Sequence, residues 1–196
     1  GYALLLDAFD APDEQFGTVM ARALFTAKQK GMVTSMDVVS ENSDRFAKIV
    51  TPSLKYCDNL IINEVEASMT CGLPVRKDGE LDEALLKIVC ESLLSKGVGK
   101  LVVIHAPEAA CAMDKGGKFT FTPSLKLPKG FIKGSVGAGD AFCAGMLYSL
   151  YKQFDIEFAL LFSAGAAACN LSEFNSTDGM KNVEGIKDVI ALYKRS

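Results

Sequence analysis

Short, unbroken apolar runs alternate with longer stretches of helical periodicity along this chain, and that alternation limits its fold more than any other feature. Ala3-Leu4-Leu5-Leu6 and Leu101-Val102-Val103-Ile104 read as buried strands, and residues 33–39 and Leu60-Ile61-Ile62 as strands between them. Residues 14–30 carry Phe16, Val19, Met20, Ala23, Leu24 and Ala27 at helical spacing, with Gly31 placed as a C-terminal cap. Residues 44–54 are helical, shortened or broken by Pro52, and the amphipathic stretch 81–94 ends at Lys96-Gly97. Residues 109–113 and 118–122 are expected to pair as a hairpin around Lys115-Gly116-Gly117. Three helical patterns close the chain, at 140–151, 156–170 and 183–194. Repeated βα units imply an α/β fold: a mainly parallel sheet in three α/β/α layers, as one domain over residues 1–196. Ligands of such sheets sit at the carboxyl ends of the strands.

Composition excludes several function classes. The chain has 196 residues, 49% of them hydrophobic, enough for one substantial core and too apolar for disorder. Its net charge of −3, without a large basic block, argues against a nucleic-acid partner. The longest apolar stretch, residues 159–169, is too short to span a bilayer, so no membrane partner is expected. Asp7 and Asp10 end the first apolar run too early for a signal peptide. The six cysteines include no CxxC pair and there is one histidine, so a zinc site is not expected. Cysteines in apolar stretches read as reduced, buried thiols, which points to the cytoplasm.

The chemistry concentrates in Gly134-Ser135-Val136-Gly137-Ala138-Gly139-Asp140-Ala141-Phe142. Glycines let the backbone pass close to a ligand, and a helix start offers unpaired N–H groups and partial positive charge. Together they make a cradle for an anion such as a phosphate. Asp140 stands at its mouth, where a carboxylate can take a proton from a hydroxyl. Read structurally, Asp140 is instead a helix N-cap and the glycines a tight turn. Upstream, Asn63 and Glu66 lie three residues apart at an expected strand-to-helix junction. They could form a capping box or a polar site for metal and phosphate.

The run GAGDAFCAG resembles the C-terminal signature of the PfkB/ribokinase family of carbohydrate kinases, usually close to DTTGAGDAFVAG. Asn59-Leu60-Ile61-Ile62-Asn63-Glu64-Val65-Glu66 resembles that family's N-x-x-E motif, in the family's order. The resemblance implies a ribokinase-like fold and ATP-dependent phosphorylation of a sugar or sugar-like hydroxyl. It makes Asp140 the catalytic base and Gly137, Ala138 and Gly139 the anion hole. Asn63 and Glu66 then support Mg2+, through water, and the nucleotide phosphates. The alanine-rich stretch 163–170 is similar to the family's helix beside the adenine, and Asn170, with Asn175 and Ser176, is placed to touch the base. His105 occupies the strand end where the family carries T-x-G, so it either faces the nucleotide or is held by its neighbours.

The sequence also departs from the family pattern. His105-Ala106-Pro107 replaces T-x-G, which predicts altered nucleotide binding. Gly134 replaces the aspartate tied to a monovalent-cation site, so potassium activation is not expected. The family's early strands, its GG-containing sugar region and its β lid are not recognisable. The chain therefore reads as the C-terminal portion of the family fold, and a homodimer would form through a lid this chain does not carry. Three readings stay open: a sugar kinase, a nucleoside kinase, and a catalytically weakened relative that only binds a ligand or a partner. An oxidoreductase reading lacks GxGxxG with a downstream acid.

Overall fold

The computed structural model describes residues 2–39 and 45–193. Its elements, in chain order, are β1 (Tyr2–Ala3), α1 (Asp7–Asp10), β2 (Pro12–Asp13), β3 (Gly17–Thr18), α2 (Val19–Gln29), β4 (Ser35–Val38), α3 (Phe46–Leu54), β5 (Asn59–Asn63) and α4 (Glu64–Cys71). They continue as β6 (Arg76–Lys77), β7 (Glu80–Leu81), α5 (Glu83–Ser95), β8 (Leu101–His105), β9 (Ala109–Asp114), β10 (Phe119–Pro123), α6 (Ala138–Tyr151), α7 (Ile156–Leu171) and α8 (Val183–Leu192). Six strands form one sheet in the order β1-β4-β5-β8-β9-β10. β1 pairs parallel with β4, and β4 with β5. The short connections β8–β9 and β9–β10 permit only antiparallel pairing; the second is the hairpin anticipated between 109–113 and 118–122. The α/β class with a mostly parallel sheet is thus the observed one.

Two compact units make up the chain: residues 1–104 with 112–119, and residues 105–111 with 120–196. In the first, strand residues Leu60, Ile61, Ile62, Val102 and Val103 are fully buried, which explains their unbroken apolar runs. α5 buries Leu86, Val89, Cys90 and Leu93, the i, i+3, i+4, i+7 stripe of an amphipathic helix. The Asp82 carboxylate accepts from Leu85 N–H at 2.9 Å and caps its start.

In the second unit α7 is buried nearly all round, because α6 and α8 both pack on it. Small residues set those approaches. A Cβ on Gly145 of α6 would lie 2.9 Å from Ser163 Cα, and one on Gly165 would lie 2.7 Å from the Ile190 side chain of α8. Stretch 163–170 is therefore packed core.

Two local expectations are corrected and two open alternatives are decided. The first strand stops at Ala3, because Leu4 turns left-handed (φ 63°) and its N–H donates to the Asp10 carboxylate at 3.0 Å; Leu5 and Leu6 are exposed. The helix expected from residue 14 begins at Val19, where Thr18 Oγ1 accepts from Ala21 N–H, and the β2–β3 hairpin occupies the preceding residues. Pro52 lies inside α3, which continues to Leu54, so it does not break the helix. Asp140 is not an N-cap; that position belongs to Gly137. Asp44 and Lys194, at the margins of two expected helices, lie outside the described residues.

Candidate active site

The glycine-rich segment forms a turn with a defined shape. Gly137 is the N-cap of α6 in the left-handed conformation (φ 81°), a geometry that a side chain disfavours. The space around it is also closed: a Cβ there would lie 2.7 Å from Ser176 Cβ and 3.0 Å from Ser176 Cα. Gly134 is confined in the same way, since a Cβ there would lie 2.9 Å from the Phe174 carbonyl oxygen and 3.1 Å from that of Glu173. Glycine at 134 is thus sterically required by the loop that follows α7. Gly139 differs, because its nearest neighbour for a Cβ is His105 Cε1 at 3.6 Å, an ordinary contact.

Ala138 N–H donates to the Ser135 carbonyl at 3.2 Å, closing the turn, and Ala141 N–H donates to the Gly137 carbonyl at 2.8 Å as the first full turn of α6. The Gly139 N–H lies between them, within the first turn, where no intrahelical carbonyl is available. Asp140 occupies the third helical position and is exposed. A carboxylate there faces the positive end of the helix dipole.

His105, at the end of β8, lies beside this turn. Its ring stacks on Phe142 of α6, with centroids 4.5 Å apart and planes 29° from parallel. Burial pushes its pKa down to about 4, so the imidazole is neutral at physiological pH. Pro107 sits in the tight β8–β9 turn, where Ala106 N–H donates to the Ala109 carbonyl at 2.8 Å. In the second unit the fold thus brings together Gly137, Ala138, Gly139, Asp140 and His105.

Asn170 lies apart from any open surface. It is fully buried, and its Nδ2 donates to the Ser176 carbonyl at 2.7 Å. Its contact is with the loop that packs on Gly137. Lys133 donates its N–H to the Leu171 carbonyl at 2.9 Å and its Nζ to Glu173 at 3.1 Å. The glycine spacing hinted at close backbone approach, but no sequence signal pointed to Ser176 or Leu171 as the partners.

Asn63 and Glu66, in the first unit, form a complete capping box. Asn63 Oδ1 accepts from Glu66 N–H at 2.9 Å and Glu66 Oε2 accepts from Asn63 N–H at 2.9 Å. Asn63 Nδ2 also donates to Glu66 Oε1 at 2.8 Å. Among the described residues no group of three or more His, Cys, Asp or Glu could hold a metal. The pair fits magnesium only in the outer shell. Each carboxylate oxygen of Glu66 already accepts one of these bonds, so the pair would reach the ion through a metal-bound water.

Residues 7–182 match the model of the pfkB family of carbohydrate kinases. The chain belongs to this family. A 5-dehydro-2-deoxygluconokinase of Clostridium perfringens is 27% identical over 180 residues, 88% of this chain and 50% of that protein. One of Listeria monocytogenes is 36% identical over 93 residues, 47% of this chain and 28% of that protein. The chain thus spans half or less of the curated relatives it matches. Among solved structures, a 2-dehydro-3-deoxygluconokinase from Thermotoga maritima superposes with a TM-score of 0.73 at 22% identity, over 88% of this chain and 54% of that one. Arabidopsis thaliana ribokinase complexed with ribose and ATP gives 0.74 at 19%, over 89% and 52%. At these identities the two structures establish the ribokinase-like fold. No helix among the described residues is long and apolar enough to cross a membrane.

Proposed function

We propose that this protein transfers the γ-phosphoryl group of ATP to a hydroxyl of a sugar acid, with 5-dehydro-2-deoxygluconate as the first candidate. The observation that carries this reading is the position of Asp140. It is exposed in the first turn of α6, and Gly137 fills the capping role that would otherwise account for it. Its carboxylate takes the proton from the acceptor hydroxyl. The hydroxyl oxygen forms a bond to the γ-phosphorus, the bond to the β-phosphate oxygen breaks, and ADP leaves.

The turn Gly137-Ala138-Gly139 lies against the charge of the transferring group. The Gly139 N–H is its best-placed donor, since the Ala138 N–H is engaged by Ser135. The neutral His105 stacked on Phe142 braces the underside of the turn and adds no charge that would hold ATP in its ground state. Magnesium, held through waters by Asn63 and Glu66, would neutralise charge on the phosphate chain.

The names of the matched relatives favour a sugar acid over a nucleoside. A reaction in the cytoplasm fits the six free thiols among the described residues. The reading is tested by ATP consumption with magnesium against sugar acids, simple sugars and nucleosides. Turnover confined to the sugar acids supports it. Turnover confined to nucleosides reassigns the acceptor, and no turnover with any of them favours a binding-only relative.

A further inference from the structure

We propose that Asn170 is a positioning residue: acting through Ser176, it holds the 172–177 loop against Gly134 and Gly137 and thereby fixes where α6 begins. The inference rests on the reading of that turn and of Asp140 given above.

Asn170 lies in the last turn of α7 and is fully buried. Its Oδ1 is buried with no hydrogen-bond partner, an arrangement that packing alone disfavours. An apolar side chain of similar size would avoid that penalty. What the amide does and such a side chain cannot is donate to the Ser176 carbonyl, at 2.7 Å.

Ser176 carries that constraint to the turn. Its Cβ, Cα and carbonyl oxygen lie 2.7, 3.0 and 3.2 Å from the place a Gly137 Cβ would occupy. The Phe174 and Glu173 carbonyls stand equally close to Gly134, and Lys133 N–H donates to the Leu171 carbonyl. Loop and turn therefore meet through the Ser176 Cβ and main chain on one side and bare glycine backbone on the other, with no flexible side chain between them to absorb a shift. The loop is stiff in itself, because Asn175 Oδ1 accepts from Thr177 N–H at 3.0 Å and Asp178 N–H at 2.8 Å. A displacement at Ser176 moves Gly137, and with it the N–H groups and the carboxylate of the first turn of α6.

The test is amide hydrogen exchange on the whole protein, comparing wild type with Asn170→Leu and Ser176→Ala. Leucine fills the site and removes both the donor and the orphaned acceptor. Residues 134–140 are expected to exchange about fivefold or more faster in Asn170→Leu, with α8 and the start of α7 unchanged. Ser176→Ala should match wild type, because the bond is to the main chain. Unchanged exchange at 134–140, or a uniform rise through α7 and α8, overturns the proposal. Should Asn170→Leu fail to fold, the wild-type side-chain amide of Asn170 decides: protection well above that of Asn182 supports the latch, and equal rates refute it.

Turnover of ATP with 5-dehydro-2-deoxygluconate supplies a second readout. Asn170→Leu should lower kcat about tenfold while KM for ATP changes less than about threefold, as for a misplaced reacting group. Absence of wild-type turnover counts against the kinase reading, and the exchange result then decides on Asn170 alone.

Discussion

Gly137 and Gly139 stand two residues apart in one motif, yet the structure predicts opposite responses to the same added methyl group. Gly137 has φ 81°, and a Cβ there would meet Ser176 Cβ at 2.7 Å and Ser176 Cα at 3.0 Å. The left-handed conformation costs an alanine about 1–2 kcal/mol. Forcing the Ser176 main chain aside costs about 1–3 kcal/mol more, as overpacking does elsewhere. A gain of up to about 1 kcal/mol from the less flexible unfolded chain offsets part of this. Gly137→Ala should therefore lose roughly 1–5 kcal/mol. Gly139 is helical, and its Cβ would stand 3.6 Å from His105 Cε1, so Gly139→Ala should be neutral or stabilising by up to about 1 kcal/mol. Urea unfolding of both variants beside wild type measures the difference. Equal losses, or a larger loss at Gly139, would refute the account of the turn.

Asn63→Ala should lower stability by about 1–2 kcal/mol, because it removes the cap of α4 and strips bonds from the buried Glu66 carboxylate. Glu66→Gln, which can still accept from Asn63 N–H, should lose less, and thermal unfolding ranks the two. His105 makes a pH-dependent contribution: the unfolded imidazole takes up a proton near pH 6.5, the folded one only near pH 4. The unfolded chain binds more protons in that window, so this contribution is complete above about pH 6.5 and is lost as pH falls toward 4. In His105→Gln, stability measured across pH 4–7 should fall less steeply than in wild type. Burial pushes the Cys57 thiol up to about 12 and raises that of Cys71, but Cys71 is partly exposed and Cys57 is not. A thiol-labelling time course read by peptide mass should therefore modify Cys71 well before Cys57, and the reverse order would contradict the packing around β5.

Regular elements were legible where their residues bury in a regular way. The runs at Leu60-Ile61-Ile62 and Leu101-Val102-Val103-Ile104 are strands because both faces are covered, and the stripe of α5 is a helix because one face is. The run at Ala3–Leu6 misled, since a left-handed Leu4 ends β1 and exposes Leu5 and Leu6, and periodicity carries no signal for that. The Asn63–Glu66 spacing was readable as a capping box, and all its bonds are made. At Asp140 the local pattern suggested a cap, whereas the left-handed Gly137 takes that place and moves Asp140 into the first turn. Gly134, a departure from the family pattern, has its cause forty residues away, in carbonyls of the loop after α7. Asn170 was equally opaque, because its partner is a main-chain carbonyl that sequence spacing does not specify.

The central claim is that the Asp140 carboxylate removes the proton from the accepting hydroxyl. Its most direct test is ATP turnover with magnesium and 5-dehydro-2-deoxygluconate by the full-length protein, beside Asp140→Asn. The asparagine keeps the size of the exposed side chain, so the unfolding midpoint should stay close to wild type. A lost general base predicts turnover at least about a hundredfold lower in the variant. Turnover equal to wild type, in a variant of equal stability, would contradict the account.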